Sequence, residues 1–424
     1  MCPVTDRIDP DIDLAGRMFR ELAVRTGDSG GITRPSFGRG EQIAHDMLRR
    51  EGERLGLRVE TDSACNLYLT LPGRVPEDRI IIGSHLDSVP CGGNFDGAAG
   101  VLCGLSVIAG LVAAKARPPR DVTLMAIRAE ESNWFAASYI GSRAAFGRLA
   151  SSELSRVRRA SDGMSLGDAI AAAGGDVARL SAGQAHLEPA RIGLFIEPHI
   201  EQGPCLVAED KPVGIVTGIR GSFRHRSACC RGRYAHSGAT PRQLRRDAVR
   251  ATAALVMAMD EVWDAAERNG DDLSITFGQL NTDPAEHAFS KVAGRVDFSL
   301  DVRSLSSGTL DWVAGSLAEQ VGRQSRQHAV RFDLGPKTAT LPALMDGGIV
   351  AALQAACSAE GIPTITMPSG AGHDAAVFAG MGVPTGMLFI RNRNGSHNPH
   401  ESMEMEDLAV AARVLMKLCL EPPR

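Results

Sequence analysis

The feature that most constrains the fold is an apolar segment that ends in glycine and is followed by a helix and a second apolar segment. Residues 79–83 are typical of a strand buried on both faces, residues 97–116 have the pattern of a buried helix, and residues 121–128 repeat the strand pattern. A strand, a helix and a strand at this spacing make a βαβ unit with a right-handed crossover. The sequence therefore predicts a largely parallel sheet.

A different pattern interrupts this alternation in the middle of the chain. After an Ala-rich segment over 151–188 that predicts helix, residues 213–332 predict short strands, a long helix over 241–268 and further antiparallel strands. Strands and helices alternate again towards the end of the chain. We therefore predict an α/β fold in which a largely parallel, doubly wound domain (1–212 and 333–424) carries an inserted small α/β sandwich.

The charge balance argues against nucleic acid as a partner. The chain has 46 Lys and Arg residues against 50 Asp and Glu, a net charge of −4, and 4% aromatic residues, so it lacks both the basic excess and the stacking surfaces that nucleic acids need. No apolar run approaches the roughly 18 residues that cross a bilayer, so we expect no membrane partner. Residues 1–13 contain five charged residues and no apolar segment, so we expect no signal peptide. The nine cysteines show no disulfide pattern. We expect a cytoplasmic protein whose ligand is a small molecule.

Polar residues stand where the first predicted buried strand ends. His85 and Asp87 follow residues 79–83 directly, and residues two apart in an extended chain point to the same side. Asp96 lies in a Gly-rich turn before the next helix. Because ligands of open α/β sheets bind at the carboxyl ends of the strands, we expect these three side chains to converge.

The same pattern recurs at later strand ends. Glu130 and Glu131 follow the strand over 121–128, while His199 and His397 follow two further predicted strands. A Glu pair alone is usually solvated, and a lone His usually belongs to the core or the surface. Two carboxylates at the end of a buried strand, however, need a cation or a proton. One Glu can bind a metal ion while its neighbour polarises the bound water.

Six segments together resemble one enzyme family. The chain is similar to dinuclear-metal amidohydrolases and exopeptidases, and more narrowly to their hydantoinase/carbamoylase branch. That branch contains N-carbamoyl-L-amino-acid hydrolases, allantoate amidohydrolases and β-ureidopropionases. The resemblance runs from about residue 10 to the C-terminus and rests on GSHLDS (83–88), GGNFDG (92–97), HIEQG (199–203), HSGATP (236–241), SGAGHDA (369–375) and SHNP (396–399).

The resemblance implies a role for each strand-end residue. Two divalent ions per subunit would be bound, with Asp96 as the bridging ligand, by His85, Asp96, Glu131, His199 and His397. Asp87 would orient His85, and Glu130 would be the general base. Three imidazoles and two carboxylates suit Zn²⁺ first, and Mn²⁺, Co²⁺ or Ni²⁺ as alternatives.

The inserted domain would act as a lid and dimerisation domain in a homodimer. By the resemblance, His236 stabilises the oxyanion, usually in the active site of the partner subunit, and Arg303 binds the substrate carboxylate. The other residues that we expect to face the substrate are Gln202, His373, Arg224 and His225. One position departs from the family, because Ser290 stands where the branch usually has an Asn that can both donate to and accept from a ureido group.

These residues predict a metal-dependent hydrolase of a linear C–N bond, carbamoyl, ureido or amide, in a small substrate that carries a carboxylate. One alternative is a dipeptidase or aminoacylase with the same metal centre. Another is a binding or interaction protein without catalysis. The Ser290 departure points to a nonstandard substrate, and the sequence leaves open the substrate itself, the physiological metal, the stereochemical preference and the pathway.

Overall fold

The protein consists of two compact units in the computed structural model, which describes residues 8–423 apart from the side chain of Glu77. Unit 1 comprises residues up to Thr217 and from Leu344 onward, and unit 2 comprises Gly218–Ala343. The helices are α1 (Ile12–Thr26), α2 (Arg39–Arg54), α3 (Ala98–Ala113), α4 (Ile140–Ala145), α5 (Ser151–Arg156), α6 (Leu166–Ala172), α7 (Val177–Ser181), α8 (Cys205–Ala208), α9 (Ala248–Asn269), α10 (Ser307–His328), α11 (Gly347–Ala359), α12 (Ala375–Gly380) and α13 (Met405–Leu420).

Strands contribute one large sheet to unit 1 and a smaller one to unit 2. The strands are β1 (Gly27–Asp28), β2 (Gly31–Ile32), β3 (Arg58–Thr61), β4 (Leu67–Leu71), β5 (Val75–His85), β6 (Arg120–Ile127), β7 (Ile192–Ile200), β8 (Val213–Ile219), β9 (Gly221–Arg231), β10 (Ala235–His236), β11 (Ser274–Thr282), β12 (Lys291–Val292), β13 (Arg295–Ser304), β14 (Arg331–Asp333), β15 (Lys337–Thr340), β16 (Ala343–Leu344), β17 (Thr364–Ser369) and β18 (Thr385–Ile390).

The large sheet has four parallel strands at its centre. Its order is β16-β8-β18-β7-β5-β6-β4-β3, with β17 beside β8. The neighbours β6, β5, β7 and β18 are parallel, whereas β4 and β8 run antiparallel to β6 and β18. The predicted α/β class with a largely parallel central sheet is therefore confirmed, and the sheet is mixed towards its margins.

Helix α3 is apolar along its whole length because other elements cover it. It packs on β5, β6 and β7 and against α1 and α13, and nearly all of its side chains are buried. Among residues 8–423, no helix combines the length and apolar character that a bilayer crossing requires. The expectation that no signal peptide is present rested partly on residues 1–7, which lie outside the described range. The cytoplasmic location stays a prediction.

Two helix predictions were wrong in their bounds. Residues 151–188 form three short helices, α5 to α7, instead of one. Gly163 lies between α5 and α6 and Gly174 between α6 and α7, and both adopt positive φ angles that interrupt a helix. The helix predicted from Pro241 begins instead at Ala248. Asp247 caps it, accepting a hydrogen bond from the Arg250 backbone N–H at 3.1 Å, and this cap defines the start of α9. Helix α1, which was not predicted, is likewise capped by an aspartate.

Unit 2 is built around an antiparallel sheet. The sheet order is β11-β13-β9-β14, with β15 also paired to β9, and β10 and β12 form a separate two-stranded sheet. The long helices α9 and α10 pack against each other and against β9 and β13. An apolar core fills the space between helices and sheet, with Phe223, Leu255, Phe298 and Val313 among its buried residues.

A buried ion pair, the Glu41–Arg128 clamp, holds the chain where β6 ends. The Glu41 carboxylate accepts hydrogen bonds from Arg128 Nη1 and the Ala129 backbone N–H, both at 2.9 Å, and from the Phe37 backbone N–H at 2.7 Å. Glu41 is fully buried and Arg128 is 2% exposed. Ala129 has a φ of 53°, so the chain leaves β6 through a left-handed residue that the clamp stabilises.

We expect Glu41→Gln to destabilise unit 1 strongly. The amide keeps the shape of Glu41 but leaves the buried Arg128 guanidinium without a carboxylate, which costs about 3–5 kcal/mol. Glu51→Gln on the same helix is the matched control, because its pair with Arg54 is partly exposed to solvent and is worth less than about 1 kcal/mol. Denaturant unfolding of the full chain measures both losses, and equal losses would show that the clamp has no special role.

Candidate metal centre

The carboxyl ends of four neighbouring strands bring the predicted ligands to one edge of the large sheet. His85 is the last residue of β5, and His199 is the last but one of β7. Glu131 follows β6, and His397 lies in the loop after β18. Since β6, β5, β7 and β18 are parallel neighbours, their ends meet at the same edge.

Asp96 lies at the centre of these side chains and contacts both sides of the group. Its Oδ1 is 3.2 Å from His199 Nε2 and 3.7 Å from His85 Nε2, and its Oδ2 is 3.3 Å from His397 Nε2. His397 Nε2 is also 3.4 Å from Glu131 Oε1. Two groups of three potential ligands, His85/Asp96/His199 and Asp96/Glu131/His397, therefore share one carboxylate, and within each group the atoms lie within 4.8 Å of one another.

Hydrogen bonds define which ring nitrogens are available in the first group. His85 Nδ1 is 3.1 Å from the Asp87 carbonyl oxygen, and His199 Nδ1 is 2.9 Å from the Ile200 carbonyl oxygen. A carbonyl only accepts, so each Nδ1 donates and each neutral ring has its lone pair on Nε2. The two Nε2 atoms are 3.3 Å apart.

The fit of this group to a cation rests on a buried oxygen. Asp96 Oδ1 is buried and has no hydrogen-bond partner among the described residues. Neutral rings place two imidazole lone pairs beside it, an arrangement that is repulsive unless a proton or a cation lies between the three atoms. Although burial opposes the shift, the hydrogen bond to Asp87 and the nearby Glu130 carboxylate raise the pKa of His85 well above its usual range, which shows that this place favours positive charge. Imidazole nitrogen and carboxylate oxygen are ligands that Zn²⁺ and similar ions prefer. The residues therefore fit a divalent cation.

The second group also attracts positive charge. Hydrogen bonds to Asp96 and to Glu131 raise the pKa of His397 to about 10. His397 is half exposed and adopts a left-handed backbone, with φ 60°, which turns its ring towards the two carboxylates. This ligand group is therefore open to solvent on the His397 side, whereas His85 and His199 are buried.

Asp87 connects the first histidine with the glutamate pair. Its Oδ1 is 3.2 Å from His85 Nδ1 and accepts from the Glu130 backbone N–H at 3.1 Å. Its Oδ2 accepts from the Glu131 backbone N–H at 3.2 Å and from Ser36 Oγ at 2.6 Å. One buried carboxylate thus orients the His85 ring and fixes the backbone of both glutamates, which is the arrangement that the predicted orienting role needs.

Glu130 stands next to the ligand groups without belonging to either. Its Oε2 is 4.0 Å from His85 Nε2. Burial raises the pKa of Glu130 well above its usual range, and the nearby Glu131 and Asp374 carboxylates raise it further, although His85 opposes the shift. A carboxylate with a raised pKa is suited to accept a proton and to release it again.

The turn that carries Asp96 depends on a glycine and on an unforeseen glutamate. Gly97 has a φ of +65°, and a Cβ atom there would lie 2.5 Å from the His85 ring. Glu401 Oε1 accepts from the backbone N–H groups of Phe95 and Asp96 at 2.8 and 3.1 Å. The Ser396 hydroxyl lies 2.6 Å from Asp96 Oδ2 and 2.7 Å from Glu401 Oε2.

Sequence reasoning also missed two buried carboxyl groups behind the site. Glu197 Oε2 accepts from the Ala375 backbone N–H at 2.7 Å, and Asp374 Oδ1 accepts from Ser142 Oγ at 2.5 Å. Burial raises the pKa of both groups, that of Asp374 to about 7. Their positions offered a signal, since Glu197 precedes His199 by two residues and Asp374 lies within the SGAGHDA segment.

Two of the residues expected to face the substrate lie against the ligands. Gln202 Nε2 donates to Asp96 Oδ2 at 3.0 Å. His373 is buried, its Nε2 is 2.9 Å from Ser369 Oγ, and its ring centroid is 4.5 Å from that of His199. Glu197, His199 and His373 form a further group of potential ligand atoms within 4.8 Å of one another.

The predicted arginines of unit 2 share one aspartate. Arg303 Nη2 is 2.7 Å from Asp301 Oδ2, and Arg224 Nε is 3.2 Å from Asp301 Oδ1. Arg224 and Asp301 are directly opposite in the β9–β13 pairing. His225, next to Arg224, is buried, with Nδ1 3.1 Å from the Leu334 carbonyl oxygen. Asp301 therefore holds both guanidinium groups on one sheet.

His236 and Ser290 lie on neighbouring segments of unit 2. His236 is exposed, and its Nδ1 accepts from the backbone N–H groups of Gly238 and Ala239, both at 3.2 Å. The proton of the neutral ring is therefore on Nε2, where it can be donated to an oxyanion. The Ser237 backbone N–H donates to the Ser290 carbonyl oxygen at 2.9 Å, which ties the two segments together.

The chain matches known proteins over most of its length. Residues 81–421 match the model of peptidase family M20/M25/M40. The N-carbamoyl-L-amino acid amidohydrolase of Geobacillus stearothermophilus is 36% identical, over 91% of this chain and 92% of the relative. The allantoate amidohydrolase of Escherichia coli K12 is 32% identical over the same shares. A crystal structure of a hydantoinase/carbamoylase family amidase from Burkholderia multivorans superposes with a TM-score of 0.87 at 28% identity, covering 97% of this chain and 98% of that chain.

These matches confirm the resemblance that the motifs predicted. The matched range contains every motif on which the resemblance rested, from the strand that ends in His85 to the loop that carries His397. Relatives and solved structure alike are covered almost from end to end. The chain therefore belongs to peptidase family M20/M25/M40.

Proposed function

We propose that the protein is a metal-dependent hydrolase of a linear C–N bond, carbamoyl, ureido or amide, in a small substrate that carries a carboxylate. The relatives named N-carbamoyl-L-amino acid and allantoate amidohydrolases support hydrolysis of a C–N bond other than a peptide bond. One observation carries the proposal: two ligand groups share Asp96, and its buried Oδ1, 3.2 Å from His199 Nε2, accepts no hydrogen bond among the residues that the structure describes. The dipeptidase or aminoacylase alternative is not favoured by these relatives.

The metal centre of the proposal takes two divalent ions per subunit. Zn²⁺ is the first choice, with Mn²⁺, Co²⁺ and Ni²⁺ as alternatives, and Asp96 belongs to both sites. The ligands are His85 and His199 on one side and Glu131 and His397 on the other. Bound ions of this kind lower the pKa of water and polarise a carbonyl group.

Glu130 is the general base of the proposal. Its carboxylate takes a proton from the attacking water as the C–O bond forms and gives it to the leaving nitrogen as the C–N bond breaks. The raised pKa of Glu130 supports the first transfer, because its carboxylate takes up a proton more readily than in water. Asp87 keeps the Glu130 backbone and the His85 ring in fixed positions.

Substrate recognition is assigned to residues of both units. Arg303, with Arg224 beside it, binds the substrate carboxylate, and His236 donates Nε2–H to the oxyanion. Gln202 and His373 complete the polar surroundings. The proposal also makes residues 213–332 a lid and dimerisation domain of a homodimer, in which His236 serves the partner's site.

Ser290 indicates that the substrate differs from the ordinary substrates of the branch. A serine hydroxyl cannot both donate to and accept from a ureido group at the reach of an asparagine amide. Its backbone carbonyl is also occupied by the Ser237 N–H. We therefore infer a carbamoyl or amide substrate that differs from the common N-carbamoyl-L-amino acids close to the reacting group.

A screen of carbamoyl, formyl, ureido and amide acids, with detection of released ammonia or amine, tests the function. We expect turnover that a chelator abolishes and divalent ions restore. Turnover that is insensitive to chelators would exclude the mechanism.

The same screen tests the Ser290 argument. Ser290→Asn should raise turnover of common N-carbamoyl-L-amino acids roughly two- to tenfold, the effect of one hydrogen bond. Best turnover of the wild type on these substrates would contradict the argument.

Variants of the two adjacent glutamates should distinguish loss of catalysis from loss of metal binding. Glu130→Gln should lower kcat by about 10²–10⁴-fold while the bound metal stays, because only the base is lost. Glu131→Gln is the matched variant and should lose metal, because it removes a ligand. Elemental analysis together with kcat distinguishes the two, and substantial turnover by Glu130→Gln would contradict the base assignment.

Gly97→Ala should weaken metal binding at least about tenfold, because the added Cβ would meet the His85 ring and misorient a ligand. The matched control is Gly163→Ala, which has a similar φ of +74° but no atom within 4 Å of the added Cβ. Zinc affinity measured by competition with a chelating dye compares the two variants. Equal affinities would show that the close contact at Gly97 does not orient His85.

A further inference from the structure

A small polar cavity of unit 1 lies between α2 and the turn that joins β3 to β4. Its volume is about 110 Å³, which leaves room for several water molecules but not for a typical drug-sized ligand. The side chains that line it include His45 and Arg49 of α2, Asp62 and Cys65 of the turn, and Arg128. None of the proposed metal ligands lines it, so the cavity lies outside the candidate metal centre.

The ring of His45 lacks hydrogen-bond partners in the wall of this cavity. His45 is 3% exposed, and neither Nδ1 nor Nε2 has a partner among the described residues. A neutral imidazole carries one donor and one acceptor, and it costs free energy to bury both without partners. The ring therefore indicates a polar occupant of the cavity.

The field around this ring is positive. Burial lowers the pKa of His45 well below its usual range, and the nearby Arg128 and Arg49 guanidinium groups lower it further, with no opposing carboxylate among the described residues. The half-buried Arg49 side chain also forms neither a hydrogen bond nor an ion pair with any residue that the structure describes. An imidazole N–H and an unpaired guanidinium are both donors, so they favour a negatively charged acceptor.

The acids that line the cavity already have internal partners. Asp62 Oδ1 accepts from the Asn66 backbone N–H at 3.0 Å, and Asp62 Oδ2 accepts from Asn66 Nδ2 and the Tyr68 hydroxyl at 2.7 and 2.8 Å. Asp46 Oδ1 accepts from Gln42 Nε2 at 2.8 Å. Because these carboxylates are bound elsewhere, they do not neutralise the cations of the cavity.

One side of α2 carries both the donors of the cavity and the acid of the clamp. Glu41, His45 and Arg49 follow one another at intervals of four residues, which places them on one side of the helix. Arg128, whose side chain also lines the cavity, donates to Glu41 Oε2 at 2.9 Å and to Gln42 Oε1 at 2.7 Å. An ion in the cavity would therefore lie beside the Glu41–Arg128 clamp.

We propose that this cavity binds a small oxyanion, a carboxylate, phosphate or sulfate group, between Arg49 and His45. The guanidinium donates two parallel N–H groups to it and the imidazole donates one. A neighbouring cavity of about 270 Å³ shares Thr61 and Gly174 with this one and is lined by exposed residues, so an ion can enter from solvent. The bound ion stabilises unit 1 next to the clamp, and the inference does not depend on the proposed hydrolysis.

Equilibrium dialysis of the metal-loaded full-length protein with radiolabelled sulfate, phosphate and acetate tests the site and distinguishes tetrahedral ions from carboxylates. We expect saturable binding of at least one ion, which also raises the unfolding midpoint. Arg49→Met should weaken its Kd at least about tenfold, because two charge-assisted hydrogen bonds are lost. Arg50→Met is the matched control and should change Kd less than about twofold, because Arg50 follows on the same helix, is 57% exposed and does not line the cavity.

His45→Leu gives a second reading of the same site. It removes the remaining donor, so the unfolding midpoint should no longer rise with the ion. Equal Kd values in the two arginine variants would place the ion at the metal centre, which both variants retain, and would overturn the inference. Absence of saturable binding of all three ions by the wild type would leave only water in the cavity and would overturn it as well. Either result leaves the proposed hydrolase function standing, because that function does not use the cavity.

Discussion

The structure depends on the carboxyl groups that unit 1 buries at one edge of its large sheet. Asp87, Asp96, Glu131, Glu197, Asp374 and Glu401 are all buried there. Arg34 is a buried cation close to them, but its guanidinium donates to the Leu86 carbonyl and the Asn94 side chain, not to a carboxylate. Hydrogen bonds satisfy most of these oxygens, but Asp96 Oδ1, Glu197 Oε1 and Asp374 Oδ2 have no donor among the described residues. Since an unpaired buried carboxylate oxygen is costly, the fold itself calls for positive charge where the histidines converge.

The remaining carboxylates serve as fixed acceptors that position the chain. Asp87 accepts the backbone N–H groups of Glu130 and Glu131, Glu401 accepts those around Asp96, and Glu41 accepts that of Ala129. Each of these acids bonds to a loop that directly follows a strand. Buried carboxyl groups therefore hold these loops in addition to apolar packing, in which Ala129 and Phe135 take part. Together they explain how a residue in the left-handed region, such as Ala129, can stand next to Glu130.

This division also explains what the sequence could and could not predict. His85, Glu131 and His199 were predictable because each stands at or just after an apolar strand, and parallel strands end at one edge of the sheet. Glu41 and Glu401 were not, because an acid that accepts backbone N–H groups from a distant segment leaves no periodic pattern. The start of α9 was predicted wrongly for a local reason: Pro241 is permitted at a helix start, but the cap at Asp247 provides the hydrogen bond that begins the helix.

The two units therefore place different demands on sequence change. In unit 1 the ligand atoms lie within a few ångströms of one another, and even a methyl group at Gly97 would meet the His85 ring, so its chemistry tolerates little variation. In unit 2 the residues around His236 and Ser290 lie on short strands and a loop whose internal hydrogen bonds run mainly through the backbone. Backbone hydrogen bonds place few limits on side chains, so residues such as Phe289 and Ser290 can change without loss of the loop's shape. If unit 2 recognises the substrate as proposed, substrate choice can vary there while unit 1 keeps its site unchanged.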